Sequence, residues 1–292
     1  MSFKLYLAVL FLTFVRPIDG FFPELLEYRP MLVLYGLCGL VTVFSVVASK
    51  TVKNQANIPR TILLIFAFVA ALVLSHIANG WLGGAVKALS DQSPTIVLFL
   101  VTLFNVNTID RARLAAKTVL MAIFLMSALS IVSLHTGIMF DLLVLRQSAP
   151  ENTPLPELMF MMGDFSRFEP GFFYRVRGFG FLGDPNDMAQ AIVTCVPFLL
   201  GAWKSKELLR NLMFRLPALG VMLYAVYLTQ SRGAIVGLGA ITFYWLYRRF
   251  GAALSMTALA IGGVGLIAIG VGGGRSLSSD EASASEIGRA HV

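Results

Sequence analysis

Long apolar runs separated by short polar connections dominate the chain. They cover roughly residues 3–15, 31–48, 61–80, 94–106, 114–136, 188–203, 216–230, 233–247 and 252–271. A helix of roughly 20 apolar residues crosses a bilayer, and shorter runs can do so when polar residues complete the helix ends. The pattern predicts an all-α, polytopic helical membrane protein with about nine transmembrane helices.

Composition excludes an ordinary soluble domain, because 57% of the residues are hydrophobic and only 13% are charged. The net charge of +7 is compatible with nucleic-acid binding, but the basic residues form short clusters between apolar runs, at 50–60, 111–117, 204–215 and 248–249. Clusters of this kind mark cytoplasmic loops. We therefore expect a multi-pass protein of the cytoplasmic (inner) membrane, with a cytoplasmic N-terminus and no nucleic-acid partner.

Metal and cofactor chemistry find no support in the sequence. Cys38 and Cys195 both lie within apolar runs and belong to no metal-binding Cys/His spacing. Phosphate-binding and dinucleotide-binding glycine motifs are missing as well. The sequence therefore predicts no metal site and no cofactor, and two thiols in the apolar core.

Two outer segments differ from simple connections. Residues 81–93 either lie flat at the membrane interface, anchored by Trp81, or form an extended start to the next helix. Residues 138–187 form a long loop rich in Pro and Phe. Disordered linkers are poor in aromatic residues, so this outer loop is expected to fold back onto the helices and to carry function.

Polar groups cluster where the long loop ends. Asp184 and Pro185 predict a helix start, with Asp184 as the N-cap and Pro185 at the first helical position. Asn186 and Asp187 add polar groups to the first helical turn, where backbone amides favour an anion. Arg175 and Arg177 precede this start by a few residues and are followed by several glycines.

Arg232 lies in a second polar segment, Thr229–Gly233, between two apolar runs. The runs have only about 15 residues each, or about 22 Å as helix, against a hydrocarbon core of about 30 Å. The sequence therefore predicts that the turn Ser231–Gly233 is recessed and that Arg232 faces a polar cavity or a partner. The alternative is an arginine at a hairpin tip that extends to the surface.

The order Arg177–Gly180, Gly183–Asp187 with Ala189, and Thr229–Gly233 resembles the O-antigen ligase and Wzy-type polymerase superfamily of bacterial envelope glycosyltransferases. An early Val15–Pro17 turn and the long outer loop are also similar. The resemblance implies transfer of a glycan from undecaprenyl diphosphate to an acceptor hydroxyl at the outer face. It further implies that the donor diphosphate is bound by arginines, and the candidate substrate-binding residues are Arg177, Arg232, Asn186, Arg175, Ser231 and Asp187.

The resemblance also implies a histidine base in a large outer loop after the last span, followed by more helices. The chain instead ends at Val292, and residues 286–292 match the translation of a common sequencing adapter. We therefore expect a C-terminally truncated membrane domain at 1–285 and a non-native tail at 286–292, with the catalytic base unknown. His76 and His135, at helix ends, are expected to bond to backbone carbonyls.

Several functions remain open at the level of sequence. The acceptor is a lipid, a glycan or a protein, so an O-antigen ligase, a Wzy-type glycan polymerase and a protein O-glycosylation ligase fit equally. A protein of another class, a membrane permease for an anionic or lipid-linked solute, would also need a polar arginine site among apolar helices. Repeats typical of many transporters are not evident in the two halves of the chain.

Overall fold

The computed structural model describes residues 2–49, 58–148, 172–203 and 206–268. About 85% of these residues are helical. Within these ranges, four helical stretches are long and apolar enough to cross a membrane: Pro30–Ala48, Arg60–Ala78, Ile109–Thr136 and Leu208–Thr229. These helices indicate a membrane protein and agree with the predicted all-α class.

The chain divides into two compact units, and the first comprises residues 1–126 and 179–181. Helix α5 packs against α1, α3 and α4, and the apolar core of the unit lies among α1, α3, α5 and α6. The elements are α1 (Ser2–Val15), α2 (Pro17–Phe21), a 3₁₀ helix (Pro23–Tyr28), α3 (Pro30–Ser49), α4 (Ile58–Ala78), α5 (Leu82–Asn105) and the first part of α6 (Ile109–Thr136).

Two hydrogen bonds between polar side chains connect helices of the first unit. The Tyr35 hydroxyl donates to Thr13 Oγ1 at 3.1 Å, and Asn105 Nδ2 donates to Thr42 Oγ1 at 2.9 Å. Such pairs join α3 to α1 and to α5, and they satisfy polar groups where water is scarce. Residues 82–93 form the first turns of α5, a single helix that contains Pro94. The two alternatives for their position relative to the membrane stay predictions.

The second unit comprises residues 127–178 and 182–292. Helix α8 packs against α9 and α10, and α10 packs against α11. The described elements are the end of α6, α7 (Phe140–Leu143), β1 (Val144–Ser148), β2 (Phe172–Val176), α8 (Pro185–Gly201), α9 (Leu208–Thr229, with a π-helical turn at Asn211–Arg215), α10 (Arg232–Phe250) and α11 (Ala252–Ala268).

Two short strands, which the sequence reading did not predict, occupy part of the 138–187 segment. They pair antiparallel, with Val144 opposite Val176 and Ser148 opposite Phe172. Tyr174 and Val176 project to one face and pack with Leu134 of α6 and Leu228 of α9. The apolar residues at alternate positions, Phe172, Tyr174 and Val176, are typical of a strand. An alternation over only five residues is too short to predict a strand within a long loop. Residues 149–171 of this segment lie outside the described part.

The remaining apolar helices are shorter than the four long ones or contain more polar residues. Helices α1, α8 and α11 have 14, 17 and 17 residues. Helix α5 contains Lys87 and Asp91, and α10 contains Arg232, Arg248 and Arg249. The count of nine transmembrane helices therefore stays a prediction.

Candidate substrate-binding site at one end of the second unit

The start of α8 has the predicted cap. Asp184 adopts an extended backbone conformation, and its Oδ1 accepts a hydrogen bond from the backbone N–H of Asn186 at 2.6 Å. Pro185 occupies the first turn, where its missing N–H costs nothing. The helix start predicted from Asp184 and Pro185 is confirmed, and it leaves the side chains of Asn186 and Asp187 exposed.

Arg175 of β2 is the centre of the polar cluster. Its side chain is buried, with 5% of the residue exposed. Nε donates to the Thr229 carbonyl at 2.7 Å, and Nη2 donates to Asn186 Oδ1 at 2.9 Å. Nη1 lies 3.4 Å from Gln147 Oε1 on β1. One planar guanidinium therefore joins the sheet, the start of α8 and the end of α9.

Strand geometry and helix electrostatics explain this position. Successive side chains of β2 point to opposite faces, so Arg175 points away from the face on which Tyr174 and Val176 pack. The last carbonyls of a helix have no partner within the helix, and they carry the negative end of its dipole. Arg175 supplies both a donor and a positive charge to the carbonyl of Thr229, which is the last residue of α9.

Arg177 is half-buried and bonds to the end of the α7 turn. Its Nε donates to the Leu142 carbonyl at 3.1 Å, and Nη2 donates to the Asp141 carbonyl at 3.0 Å. Its own backbone is held as well, because Ser130 Oγ donates to the Arg177 carbonyl at 2.8 Å. The guanidinium that the sequence reading assigned to the donor diphosphate therefore already binds two carbonyls of this protein.

The short helix lengths predicted on either side of Arg232 are wrong, and the recession of Arg232 below the membrane surface stays a prediction. Helix α9 has 22 residues and α10 has 19, which correspond to about 33 Å and about 28 Å at 1.5 Å per residue. The predicted length of α9 was too short because the helix begins before the apolar run, within the basic cluster that includes Arg210 and Arg215. Arg232 is the first residue of α10, and it is exposed.

The turn before Arg232 is nevertheless tightly held. Gln230 adopts a left-handed conformation with φ of 51°, which is uncommon for a residue other than glycine. Thr229 is fully buried, and Ser231 is 2% exposed. The structure thus brings Arg175 into contact with this turn and, through Arg175, links the turn to Asn186, although these segments are far apart in sequence. The roles of Arg177, Arg232, Ser231 and Asp187 in binding stay predictions.

The two helix-end histidines contact aromatic side chains rather than the expected backbone carbonyls. His135 Nε2 lies 3.0 Å from the Tyr224 hydroxyl, and Tyr224 in turn stacks on Tyr227. The His76 ring meets the edge of Trp81, with the ring centroids 5.5 Å apart. His135 and Tyr224 lie on different helices, and Trp81 follows the end of the helix that contains His76. The hydrophobic periodicity of a single helix therefore gave no sign of either pair.

Arg16, in the first unit, has a contact that the sequence analysis missed. It lies against Gly180, so closely that a Cβ atom on Gly180 would collide with Cδ and Nη1 of Arg16. Both residues have left-handed backbones, with φ of 39° and 56°. Arg16 Nε also lies 3.2 Å from Asp19 Oδ2. The Val15–Pro17 turn was visible in the sequence, but its partner in the glycine-rich segment was not.

The cluster around Arg175 combines a buried cation, an exposed cation in the adjoining turn, and the first turns of two helices. Helix N-termini carry partial positive charge and unpaired amides, so this end of the second unit suits an anionic group. Comparison of the chain with protein-family models, with curated proteins and with solved structures finds no match.

Proposed function

We propose that this protein is an integral-membrane glycosyltransferase of the O-antigen ligase type, which transfers a glycan from undecaprenyl diphosphate to an acceptor hydroxyl. The observation that supports this most directly is the pair of hydrogen bonds from Arg175 to Asn186 and to the Thr229 carbonyl. These bonds unite the two segments whose sequences resemble that superfamily. A shared site is what such a resemblance requires.

In the proposed reaction, the protein binds the donor and stabilises the diphosphate as it leaves. The bond between the anomeric carbon and the diphosphate oxygen breaks, and a bond from that carbon to the acceptor oxygen forms. Negative charge grows on the departing diphosphate, and fixed cations and helix amides stabilise it. Arg232 and the first turn of α8 are the groups we assign to this task. The acceptor proton passes to a general base, which we leave unassigned.

The proposed topology has nine spans, a cytoplasmic N-terminus and the site at the outer face of the inner membrane. The polarity of α9 supports this arrangement. Its first turns contain Arg210 and Arg215, and its last residue, Thr229, contacts the site. Lys and Arg accumulate on the cytoplasmic side of membrane helices, so the opposite end of α9 belongs to the outer side.

The acceptor defines three possible activities within this class: a ligase that modifies a lipid, a polymerase that extends a glycan, and a ligase that modifies protein. The test uses protein expressed from its complete native reading frame and purified into liposomes, labelled glycan on undecaprenyl diphosphate, and each acceptor type in turn. We expect transfer of the label with release of undecaprenyl diphosphate. Translocation of the intact donor without bond cleavage would instead identify a permease and overturn the proposal.

Arg232→Ala tests the assigned cation, with Arg210→Ala as the matched control. Arg210 is exposed and lies at the other end of α9, about 29 Å from Thr229 along the helix. Loss of a preorganised charge in a transfer site lowers turnover by about 10²- to 10³-fold, whereas the control should retain full turnover. Equilibrium binding of undecaprenyl diphosphate is measured in parallel, because binding needs no base. Unchanged binding and turnover in Arg232→Ala would remove this residue from the mechanism.

A further inference from the structure

The connection between α1 and α3, residues 16–29, exposes several large apolar side chains. Phe21, Phe22 and Tyr28 are 65%, 60% and 75% exposed. Leu25 and Leu26 are also exposed. The connection is nevertheless ordered as helix α2 followed directly by the 3₁₀ helix. An ordered segment with its apolar side chains outward needs an apolar or interfacial surrounding.

The 3₁₀ helix separates its polar and apolar residues by geometry. With three residues per turn, side chains at i and i+3 lie above one another. Glu24 and Glu27 therefore form one acidic edge, and Leu25 and Tyr28 form a second, apolar edge. Leu26 lies on the third edge with Pro23. The segment is amphipathic, although its six residues are too few for a helical hydrophobic pattern to be evident.

The backbone of this segment is bonded locally. The N–H of Phe22 donates to the Ile18 carbonyl, the N–H of Leu25 to Phe22, and the N–H of Arg29 to Leu26, each at 3.0 Å. Backbone groups at a membrane surface must find partners within the protein where water is depleted. At these three positions, the backbone N–H groups of residues 16–29 have partners within the same segment.

We propose that residues 17–28 form an anchor that lies in the headgroup region of the bilayer, with the apolar edges of the 3₁₀ helix inserted and the acidic edge in water. The candidate span of α3 begins at Pro30, immediately after this segment, so the segment starts from the membrane boundary. Left-handed residues at both ends, Arg16 and Arg29, turn the chain out of the direction of the adjoining helices.

Lipid is the occupant that these observations favour over a second copy of the chain. Exposed apolar side chains occur in α3 as well, where Leu32, Val33 and Leu37 are exposed, and a candidate span such as α3 faces lipid. Aromatic residues prefer the membrane interface, and amphipathic segments insert about 5–10 Å into it. This inference is independent of the proposed transferase activity.

The test places a nitroxide label at four successive positions in full-length protein, in a background where Cys38 and Cys195, both buried, are replaced by Ala. The variants are Leu25→Cys and Leu26→Cys on the apolar edges, with Glu24→Cys and Glu27→Cys as matched controls on the acidic edge. Each is reconstituted in phosphatidylcholine–phosphatidylethanolamine vesicles. Power saturation then compares collisions with oxygen, which concentrates in lipid, and with a water-soluble nickel chelate.

We expect the ratio of oxygen to nickel collisions to be several-fold higher at positions 25 and 26 than at 24 and 27. Equal and high nickel accessibility at all four positions would show that the segment lies in water, which overturns the proposal. Low accessibility to both reagents at positions 25 and 26 would mean that protein covers them. Dipolar broadening between labels in that case would identify a second copy as the occupant.

Discussion

At the scale of single residues, Arg175 connects more elements of the fold than Arg177 or Arg232, the two arginines that the sequence made most prominent. The sequence named Arg175 as a candidate substrate-binding residue beside Arg177, but it gave no sign of the contacts that Arg175 makes. Strand pairing, which the sequence reading did not predict, turns Arg175 toward the end of α9. Contacts between segments far apart in sequence determine its role, and no local pattern encodes them.

Replacement of Arg175 should destabilise the second unit. In Arg175→Ala, the buried Thr229 carbonyl loses its donor and Asn186 loses its partner, at a cost of about 1–3 kcal/mol in the free energy of unfolding. Arg175→Lys should rescue little, since an ammonium cannot reproduce the planar fork that reaches both oxygens. Thermal unfolding of the purified variants in detergent measures both effects.

Arg210→Ala provides the matched control for this prediction. The Arg210 side chain is 66% exposed and forms an ion pair with Glu207, the residue that precedes α9. Exposed pairs of this kind contribute little, so we expect a change within about 0.5 kcal/mol. Equal destabilisation by the Arg175 and Arg210 substitutions would contradict the importance of the buried contacts.

Asp19 should make stability depend on pH. Burial raises the pKa of this carboxyl above its ordinary value of 3.8, and nearby Arg16 only partly opposes that effect. The folded state therefore holds the proton more tightly than the unfolded state. The stabilisation is fully present below pH 3.8, and it is lost as the pH rises through the raised pKa of the folded protein.

Asp19→Asn isolates this contribution because the amide stays neutral. Unfolding of both proteins is followed across the acid range, and the stability of the parent relative to the variant should fall as the pH rises. A relative gain by the parent on raising the pH would show that the ion pair with Arg16 outweighs the cost of burial.

At the scale of elements, the sequence predicted helices well where one rule dominated. Apolar runs located α3, α4 and α6, and the Asp184–Pro185 pair located the start of α8. The predictions failed where hydrophobic periodicity was interrupted or too short to indicate an element. Helix α9 begins among basic residues that interrupt its hydrophobic pattern, and a π-helical turn carries it through them. Strands β1 and β2 depend on pairing with each other, which alternation over five residues does not establish.

The cap of α8 should contribute measurably to that helix. Asp184→Ala removes the acceptor of the Asn186 N–H, and we expect a loss of about 0.5–2 kcal/mol in the free energy of unfolding. Asp184→Asn keeps a capping oxygen and should lie within about 0.5 kcal/mol of the parent. Chemical denaturation in mixed micelles compares the three proteins. Equal losses for Ala and Asn would assign the effect to charge at the helix terminus rather than to the cap.

At the scale of the whole molecule, the predicted arrangement of nine spans assigns each exposed site to one side of the membrane. Glu27 and Asp184 should face the outside, and Arg113 and Arg210 the cytoplasm. All four positions are exposed in the structure. Single cysteines at these positions, with the native cysteines replaced, are treated with an impermeant maleimide in intact bacterial cells.

Cysteines at positions 27 and 184 should react in intact cells, and those at 113 and 210 only after the membrane is permeabilised. The basic clusters are responsible for this expectation, since Lys and Arg resist translocation. Labelling of position 210 in intact cells would place the end of α9 that contacts the site on the cytoplasmic side. An outer-face transferase would then be ruled out.

The close approach of Arg16 to Gly180 has a consequence for how this chain can evolve. A side chain at position 180 is opposed first by the left-handed backbone and second by the arginine that lies against it. A small residue at position 16 would remove the second obstacle and leave the first. Substitutions at 180 should therefore be epistatic with position 16, so that Asn or Asp, which tolerate this backbone, cost less stability at 180 when Arg16 is replaced by a small residue.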